Sequence, residues 1–282
     1  MDGEEAYHLI EQRVNKIREK GRRNIMNNEI NNNQEVDNSS LIIEGRNAVN
    51  EALKADRSID KLFIQDQISK DGPLKGIIAK ARKKGIVINF ESKDRLDARA
   101  NSQKHQGVVA YVAAYDYVSI DDILAIAEKK GESPYIMILD GVEDPHNLGA
   151  IIRTANVVGV HGVIIPKRRA VGLTETVVKT SAGAIEYTPV CKVTNISKTI
   201  QELKDKGLWI VGADMDGQVM YDVDMKGAIA IVIGGEGEGL SKLVREHCDF
   251  VAQIPMQGDI SSLNASVAAA VLMYEGYRQR LG

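Results

Sequence analysis

From Tyr135 to Pro166 the chain sets out a rhythm. A six-residue run, YIMILD, is followed by NLGAIIRTANVVG, with apolar residues three and four apart, and then by the apolar run GVIIP. Short apolar runs bounded by turn residues mark strands covered on both faces, and the 3.6-residue period marks helices lying across them. The alternation begins with SIDDILAIAEKKG, which predicts a helix. It continues through TETVVKTSAGA, NISKTIQELKDKG with LWIVGAD, AIAIVIG, SKLVREHC, DFVAQIP and a last helix from about Leu263 to Leu281. Residues 116–282 are therefore expected to form an α/β domain with a mainly parallel sheet, a class that binds ligands at the carboxyl ends of its strands.

Residues 41–115 show the same switching of period on a smaller scale. GRNAVNEALK, PLKGIIAKARKKG and SKDRLDARA read as helices, and DKLFIQ, IVINF and GVVAYVAA read as strands, giving a compact α/β module. In residues 1–40, Leu9, Ile10, Val14 and Ile17 share one face of a short helix, and the stretch NIMNNEINNNQEVDNSS that follows is too polar to offset the entropy of ordering. Residues 21–40 are read as a flexible linker. Three segments are expected: a helix with an Asn-rich extension (1–40), a small α/β domain (41–115) and the larger sheet domain (116–282).

Composition narrows the function classes. No apolar run approaches the ~20 residues that span a bilayer, and the acidic start MDGEEAYHLIEQR has neither the apolar core of a secretory signal nor the arginines of a transit peptide. Two cysteines, Cys191 and Cys248, make neither a disulfide framework nor a four-ligand zinc site, so a reducing cytoplasm is expected and no metal. Net charge is −3, but its distribution is uneven. Residues 41–115 carry 14 Lys/Arg against 9 Asp/Glu, and residues 116–282 carry 16 against 22. A basic domain joined to an acidic one fits a polyanion held by the first and chemistry done by the second. A solvated lysine-rich surface would give the same balance. Lys80, Arg82, Lys83 and Lys84 close a helix, where capping of the helix dipole competes with RNA contact as their role.

Candidate chemistry sits in three loops that follow strands. In Asp140–Gly149, Asn147 is placed to cap a helix that carries Arg153 six residues on. A cation near the positive end of a helix either pairs with an acid such as Asp144 or waits for an anion or an oxygen that must lose its proton. In Gly234–Gly239, leading to Ser241 at a helix start, the glycines permit close backbone approach, but the spacing fails G-x-G-x-x-G because Leu240 stands at the third position. Glu236 and Glu238 would repel a pyrophosphate, so a ligand with hydroxyls and positive charge, such as S-adenosylmethionine, suits the loop better than a dinucleotide. An acidic surface hairpin is the plain alternative. In the third loop, Ile254–Ser266, Ser262 and Asn264 are plausible caps of the last helix and equally able to grip a ligand. His146 lacks an orienting partner and His247 sits beside Cys248 at a helix end, so neither is expected to be a general base.

Together these loops resemble the SpoU/TrmH (SPOUT) family of S-adenosylmethionine-dependent RNA 2′-O-ribose methyltransferases. The family's first motif matches NLGAIIRTA from Asn147, the second IGGEGEGLS from Ile233 to Ser241, and the third IPMQG from Ile254 with SLNASVA from Ser262. The stretches ILDGVEDPHNLGAIIRTA, GVHGVIIPK, SAGAIEYTPVCKVTN, GRNAVNEAL and HQGVVAYV bring the chain nearer the bacterial branch that methylates a guanosine in the peptidyl-transferase P loop of 23S ribosomal RNA. The first 40 residues have no counterpart in shorter members of that branch, and Ala265 stands where Val is common.

The resemblance implies an RNA-binding domain of L30e-like fold, a trefoil knot in the catalytic domain, and a homodimer whose pocket draws on both subunits. The last helix, apolar nearly all round from Val267 to Met273, is compatible with burial against a partner. The resemblance further implies that Arg153 meets the acceptor ribose, with Asn147, Glu236, Ser262 and Asn264 shaping the pocket. S-adenosylmethionine would lie against Gly234, Gly235, Leu240, Ile254, Met256 and Leu263. Transfer RNA or another ribosomal site is an alternative acceptor, and a non-catalytic RNA-binding assembly factor is the alternative from another class. The intact motif residues argue against the last, and the glycine spacing argues against a nicotinamide oxidoreductase.

Overall fold

The computed structural model describes residues 41–69, 71–260 and 262–281; the helix expected over residues 4–20 and the extension to residue 40 lie outside them. The described residues belong to one compact unit built on two sheets.

The first sheet has four strands in the order β1 (Leu41–Glu44), β4 (Val108–Val112), β2 (Ile59–Gln65), β3 (Val87–Glu91). It is mixed: β4 runs antiparallel to both β1 and β2, while β2 and β3 are parallel. Helices α1 (Arg46–Lys54) and α2 (Gly72–Lys83) bury Val49, Leu53, Leu74 and Ile77 against Leu62, Ile64 and Val108 on one face. On the other face Leu96 of α3 (Lys93–Arg99) packs on Phe63, Val109 and Tyr111. Arg99 fixes this side by lying 4.2 Å over the Phe63 ring and gripping Glu91 with two hydrogen bonds of 2.7 and 2.9 Å.

The second sheet has six strands, all paired in parallel, in the order β10 (Phe250–Gln253), β8 (Trp209–Val219), β9 (Ile229–Gly234), β5 (Tyr135–Asp140), β6 (Gly162–Pro166), β7 (Val190–Val193). The unbroken apolar run of β5 is explained by its neighbours. Tyr135, Met137 and Leu139 face one core with α5 (Pro145–Val157) and α9 (Ala265–Arg280), whereas Ile136 and Ile138 face the other with α4 (Ile120–Lys130) and α7 (Ile196–Asp205). Each such side chain, fully withdrawn from water, stabilises the fold by about 1.5–3 kcal/mol. Two short helices, α6 (Glu175–Thr180) and α8 (Lys242–His247), complete the covering. Among the described residues no helix is long and apolar enough to cross a membrane.

The alternation of strands and helices in the larger segment, and its parallel sheet, are as expected. The differences lie in two short edge strands and in the length of β8. Strands β1 and β7, four residues each, carry too little pattern to stand out, and β8 runs on to Val219 through the polar stretch DMDGQ. Helix α4 shows local signals working: Ser119 and Asp122 form a reciprocal capping box, and Gly131 ends the helix in the left-handed conformation.

Between the two sheets lies a buried polar knot of side chains. Lys192 of β7 is paired with Asp60 of β2, the Tyr117 hydroxyl donates to the same carboxylate at 2.7 Å, and the Leu173 N–H donates to Tyr117 at 3.0 Å. Burial pushes the Tyr117 phenol well above its ordinary range, so it stays protonated and donating.

Candidate active site

The three loops singled out in the sequence leave the carboxyl ends of β5, β9 and β10 and meet at one place. The turn after β9 is its centre. Gly235 N–H donates to the Asp140 carbonyl at 2.9 Å, Gly239 N–H closes the turn on Gly235 O at 3.1 Å, and Ser241 N–H donates to the Asp140 carboxylate at 3.0 Å. The turn is so tight that a Cβ on Gly234 would stand 2.0 Å from the Gly239 carbonyl carbon. Only glycine fits there.

Glu236, presented by this turn, accepts two hydrogen bonds on one oxygen: Asn147 Nδ2 at 2.7 Å from the β5 loop and Asn264 Nδ2 at 2.9 Å from the β10 loop. One carboxylate thus ties all three loops together. Asn147 is 5% exposed, and its amide would be an unsatisfied buried donor without Glu236. Asn264 also caps α9, its Oδ1 accepting from Ser266 N at 3.0 Å and Val267 N at 3.4 Å. Capping of α5, expected of Asn147, falls instead to Asp144, whose side chain accepts from His146 N at 2.7 Å. Asn147 is the third residue of the helix, in its first turn, where its side chain is free to reach across. Ser241 begins α8 but its hydroxyl caps nothing, and Ser262 caps nothing either.

The Gly235–Gly239 turn separates two hollows. One, of about 630 Å³, is lined by Gly234, Gly235, Ile254, Met256, Ser262 and Leu263, with Asp214 and Met215 from the end of β8. The other, of about 880 Å³, lies on the β5 and β6 side and holds Asn147, Arg168, Arg169, Asn195 and Glu238. Leu240 lines the second hollow, and its side chain is buried in the core. Arg153 lines neither. It projects into solvent from α5 and makes no hydrogen bond or ion pair among the described residues; pairing with Asp144, one of the two roles open to it, is absent. His146 is exposed at the edge, and the buried Nδ1 of His247 has no partner among the described residues. Burial pushes both Cys191 and Cys248 up to about 11, which keeps them as thiols at neutral pH.

The smaller hollow has the features a nucleoside carrying a cationic chain needs. Apolar Ile254, Met256 and Leu263 offer surfaces for a base, and backbone opens close by at the glycine turn. The Asp214 carboxylate is held ready for hydroxyls or positive charge by Arg245, whose Nε donates to it at 3.0 Å. Among the described residues, 256–260, 262 and 263 make no backbone–backbone hydrogen bond, which leaves their N–H and C=O groups open to solvent or a ligand. Asp214 was not singled out in the sequence, although its place at the carboxyl end of LWIVGAD was a usable signal. Arg168 and Arg169, at the carboxyl end of GVIIP, were missed in the same way.

Comparison with known proteins identifies the family. Residues 134–274 match the SpoU rRNA Methylase family, and residues 42–118 match the RNA 2′-O ribose methyltransferase substrate-binding family. A Bacillus subtilis (strain 168) protein assigned to the TrmH family of tRNA/rRNA methyltransferases is 51% identical, over 84% of this chain and 94% of its own length. The structure of the SpoU methyltransferase AviRb from Streptomyces viridochromogenes, in complex with AdoMet, is 25% identical and superposes with a TM-score of 0.54, covering 86% of this chain and 91% of that one. An AdoMet-bound rRNA methyltransferase structure from Sinorhizobium meliloti shares the fold at 23% identity, with a TM-score of 0.54 over 86% of this chain and 89% of that one. The chain therefore belongs to the SpoU/TrmH family of RNA methyltransferases.

Proposed function

We propose that the protein transfers a methyl group from S-adenosylmethionine to the ribose 2′-hydroxyl of a guanosine in the peptidyl-transferase P loop of 23S ribosomal RNA. The observation that carries this reading is the Asn147–Glu236–Asn264 clamp, which joins the three motif loops at the wall of the smaller hollow. Gly234, Gly235, Ile254, Met256 and Leu263 hold S-adenosylmethionine there, with Leu240 stiffening the turn from behind. The bound cofactor supplies a methyl group on a sulfonium, an electrophile that needs no further activation.

The protein's own task is the acceptor. A ribose hydroxyl is a poor nucleophile at neutral pH, so it must be oriented and its developing negative charge met. Orientation alone accounts for up to ~7–11 kcal/mol in favourable cases. Glu236 is fixed by two amides and Ser262 lies at the same wall, so both position the acceptor. Arg153 meets the developing alkoxide as a permanent cation rather than as a base.

Arg153 is exposed and lines neither hollow of its own chain, which supports a homodimer in which it reaches the partner's cleft. The surface around it agrees. Val157 on the same helix is 63% exposed, and Val267 and Tyr274 of α9, which packs on α5, are 47% and 51% exposed. Apolar residues left in solvent on two packed helices fit an interface between copies.

Residues 41–115 serve as the RNA-holding L30e-like domain and residues 116–282 as the catalytic domain, in a cytoplasmic enzyme. The return of α9 from the edge strand β10 to pack on β9 and α5 supports the trefoil knot of this fold. The test is transfer of tritiated methyl to undermethylated 23S RNA and, separately, to bulk transfer RNA, with the product mapped by resistance to alkaline cleavage. Label at one P-loop ribose is expected. Label on transfer RNA alone moves the acceptor, and RNA binding without label on naked RNA or on ribosomal particles overturns catalysis.

A further inference from the structure

Two basic runs that are far apart in sequence meet in the fold. The first, Lys80 to Lys84, closes α2 on the small sheet; the second, Lys167-Arg168-Arg169, follows β6 of the large one. Lys167 Nζ donates to the Gly85 carbonyl at 3.1 Å, which brings the end of the first run against the start of the second. A hollow of about 370 Å³ opens at this junction, and Arg57, Lys84, Lys167 and Lys192 line it. Its acids are already engaged, Asp56 with Lys84 and Asp60 with Lys192 and Tyr117. Arg82, Lys83, Arg168 and Arg169 are exposed and make no ion pair among the described residues. At the far end, Arg168 and Arg169 line the larger hollow beside Asn147 and Glu236. Arg169 holds a left-handed backbone, φ +54°, where a side chain is costly and glycine would be easy.

We infer that these residues form one cationic track, from the end of α2 across Lys167 to Arg168 and Arg169, along which the phosphates of the substrate RNA strand run into the cleft. The inference rests on the RNA-methyltransferase reading and names the surface that delivers its substrate. Arg82 and Lys83 on one side of Lys167, and Arg168 and Arg169 on the other, are the unpaired, exposed cations that a phosphate backbone requires. The lip beyond them is acidic, with Glu143, Asp144 and Glu238 lining the same hollow, so phosphates stop at the arginines while an uncharged ribose edge can go further.

The test is binding of a fluorescent 23S fragment containing the P loop, by anisotropy across a salt series, for the full-length protein. Variants are the double substitutions Arg82→Ala/Lys83→Ala and Arg168→Ala/Arg169→Ala. Lys129→Ala/Lys130→Ala, at the end of α4, serves as control. Each track variant is expected to weaken binding about tenfold at 0.1 M salt and to reduce the slope of log K against log salt by about 1.4, two contacts at ~0.7 each. The control should match the wild type, Arg168→Lys/Arg169→Lys should keep the slope, and calorimetry should show unchanged S-adenosylmethionine affinity in all. Track variants with wild-type affinity and slope, or a control that falls equally, overturn the track. Loss of slope in a protein whose wild type methylates no RNA would keep the track and sink the catalytic reading instead.

Discussion

Helix α5 carries Asn147 and Arg153 of the first motif, and the structure treats them in opposite ways. Asn147 is buried, its amide spent on Glu236, which in turn holds Asn264. Arg153, less than two turns later, reaches into solvent with no partner among the described residues. A tied side chain contributes to the fold as well as to the site, so its loss should be felt in both. An untied one contributes little to the fold, so its loss should leave stability unchanged. On the proposed homodimer reading, the contrast divides the site into a part that one chain builds for itself and a part that it offers to another.

The largest effect is expected of Arg153→Ala. Methyl transfer should fall by at least about 10²–10³-fold, the scale for removing one charge-stabilising donor, while the melting temperature and calorimetric cofactor affinity stay at wild-type values. A melting temperature lowered along with activity would show Arg153 to be tied after all. Next comes Asn264→Ala, which removes a helix cap and one arm of the clamp. Activity should drop, and urea unfolding should show a loss of about 1–2 kcal/mol, unlike the Arg153 variant.

How much of this was legible follows the same division. The parallel sheet could be read because runs such as YIMILD face apolar neighbours on both sides, and α4 because its capping box and terminal glycine are local. The motif loops were legible as loops. Which partner each side chain takes was not. Asn147 looked like a cap from its spacing alone, and only the three-dimensional approach of Glu236, 89 residues on, gives its amide another use. Nothing in the sequence around Arg168 and Arg169 shows that Gly85, more than eighty residues away, lies beside Lys167.

A buried histidine extends the comparison to pH. His161 accepts the Tyr135 N–H on Nδ1 at 2.9 Å and reaches Glu132 with Nε2 at 3.0 Å, and burial pushes its pKa below the ordinary 6.5. The folded state thus favours the neutral ring. The stability it contributes is present above the unfolded-state value and is lost as pH falls through the folded-state value. Proton NMR should find His161 titrating below 6.5, with the melting temperature declining over the same acidic range; a midpoint above 6.5 would contradict the buried neutral ring. The smallest effect belongs to Ser241→Ala. Its hydroxyl caps nothing, so chemical unfolding should shift by less than about 0.5 kcal/mol, well under the loss of a working cap.

The claim that the site is shared between two chains is tested most directly by mixing variants. Arg153→Ala and Glu236→Ala are each expected to be inactive as pure proteins, because every cleft lacks one of its two parts. Unfolded and refolded together, they should pair at random. If Arg153 serves the partner's cleft, each mixed dimer regains one intact site, and methyl transfer returns to about a quarter of the wild-type level. Mixed dimers that form, as seen by differently tagged subunits purifying together, yet show no more activity than either parent would contradict the shared site.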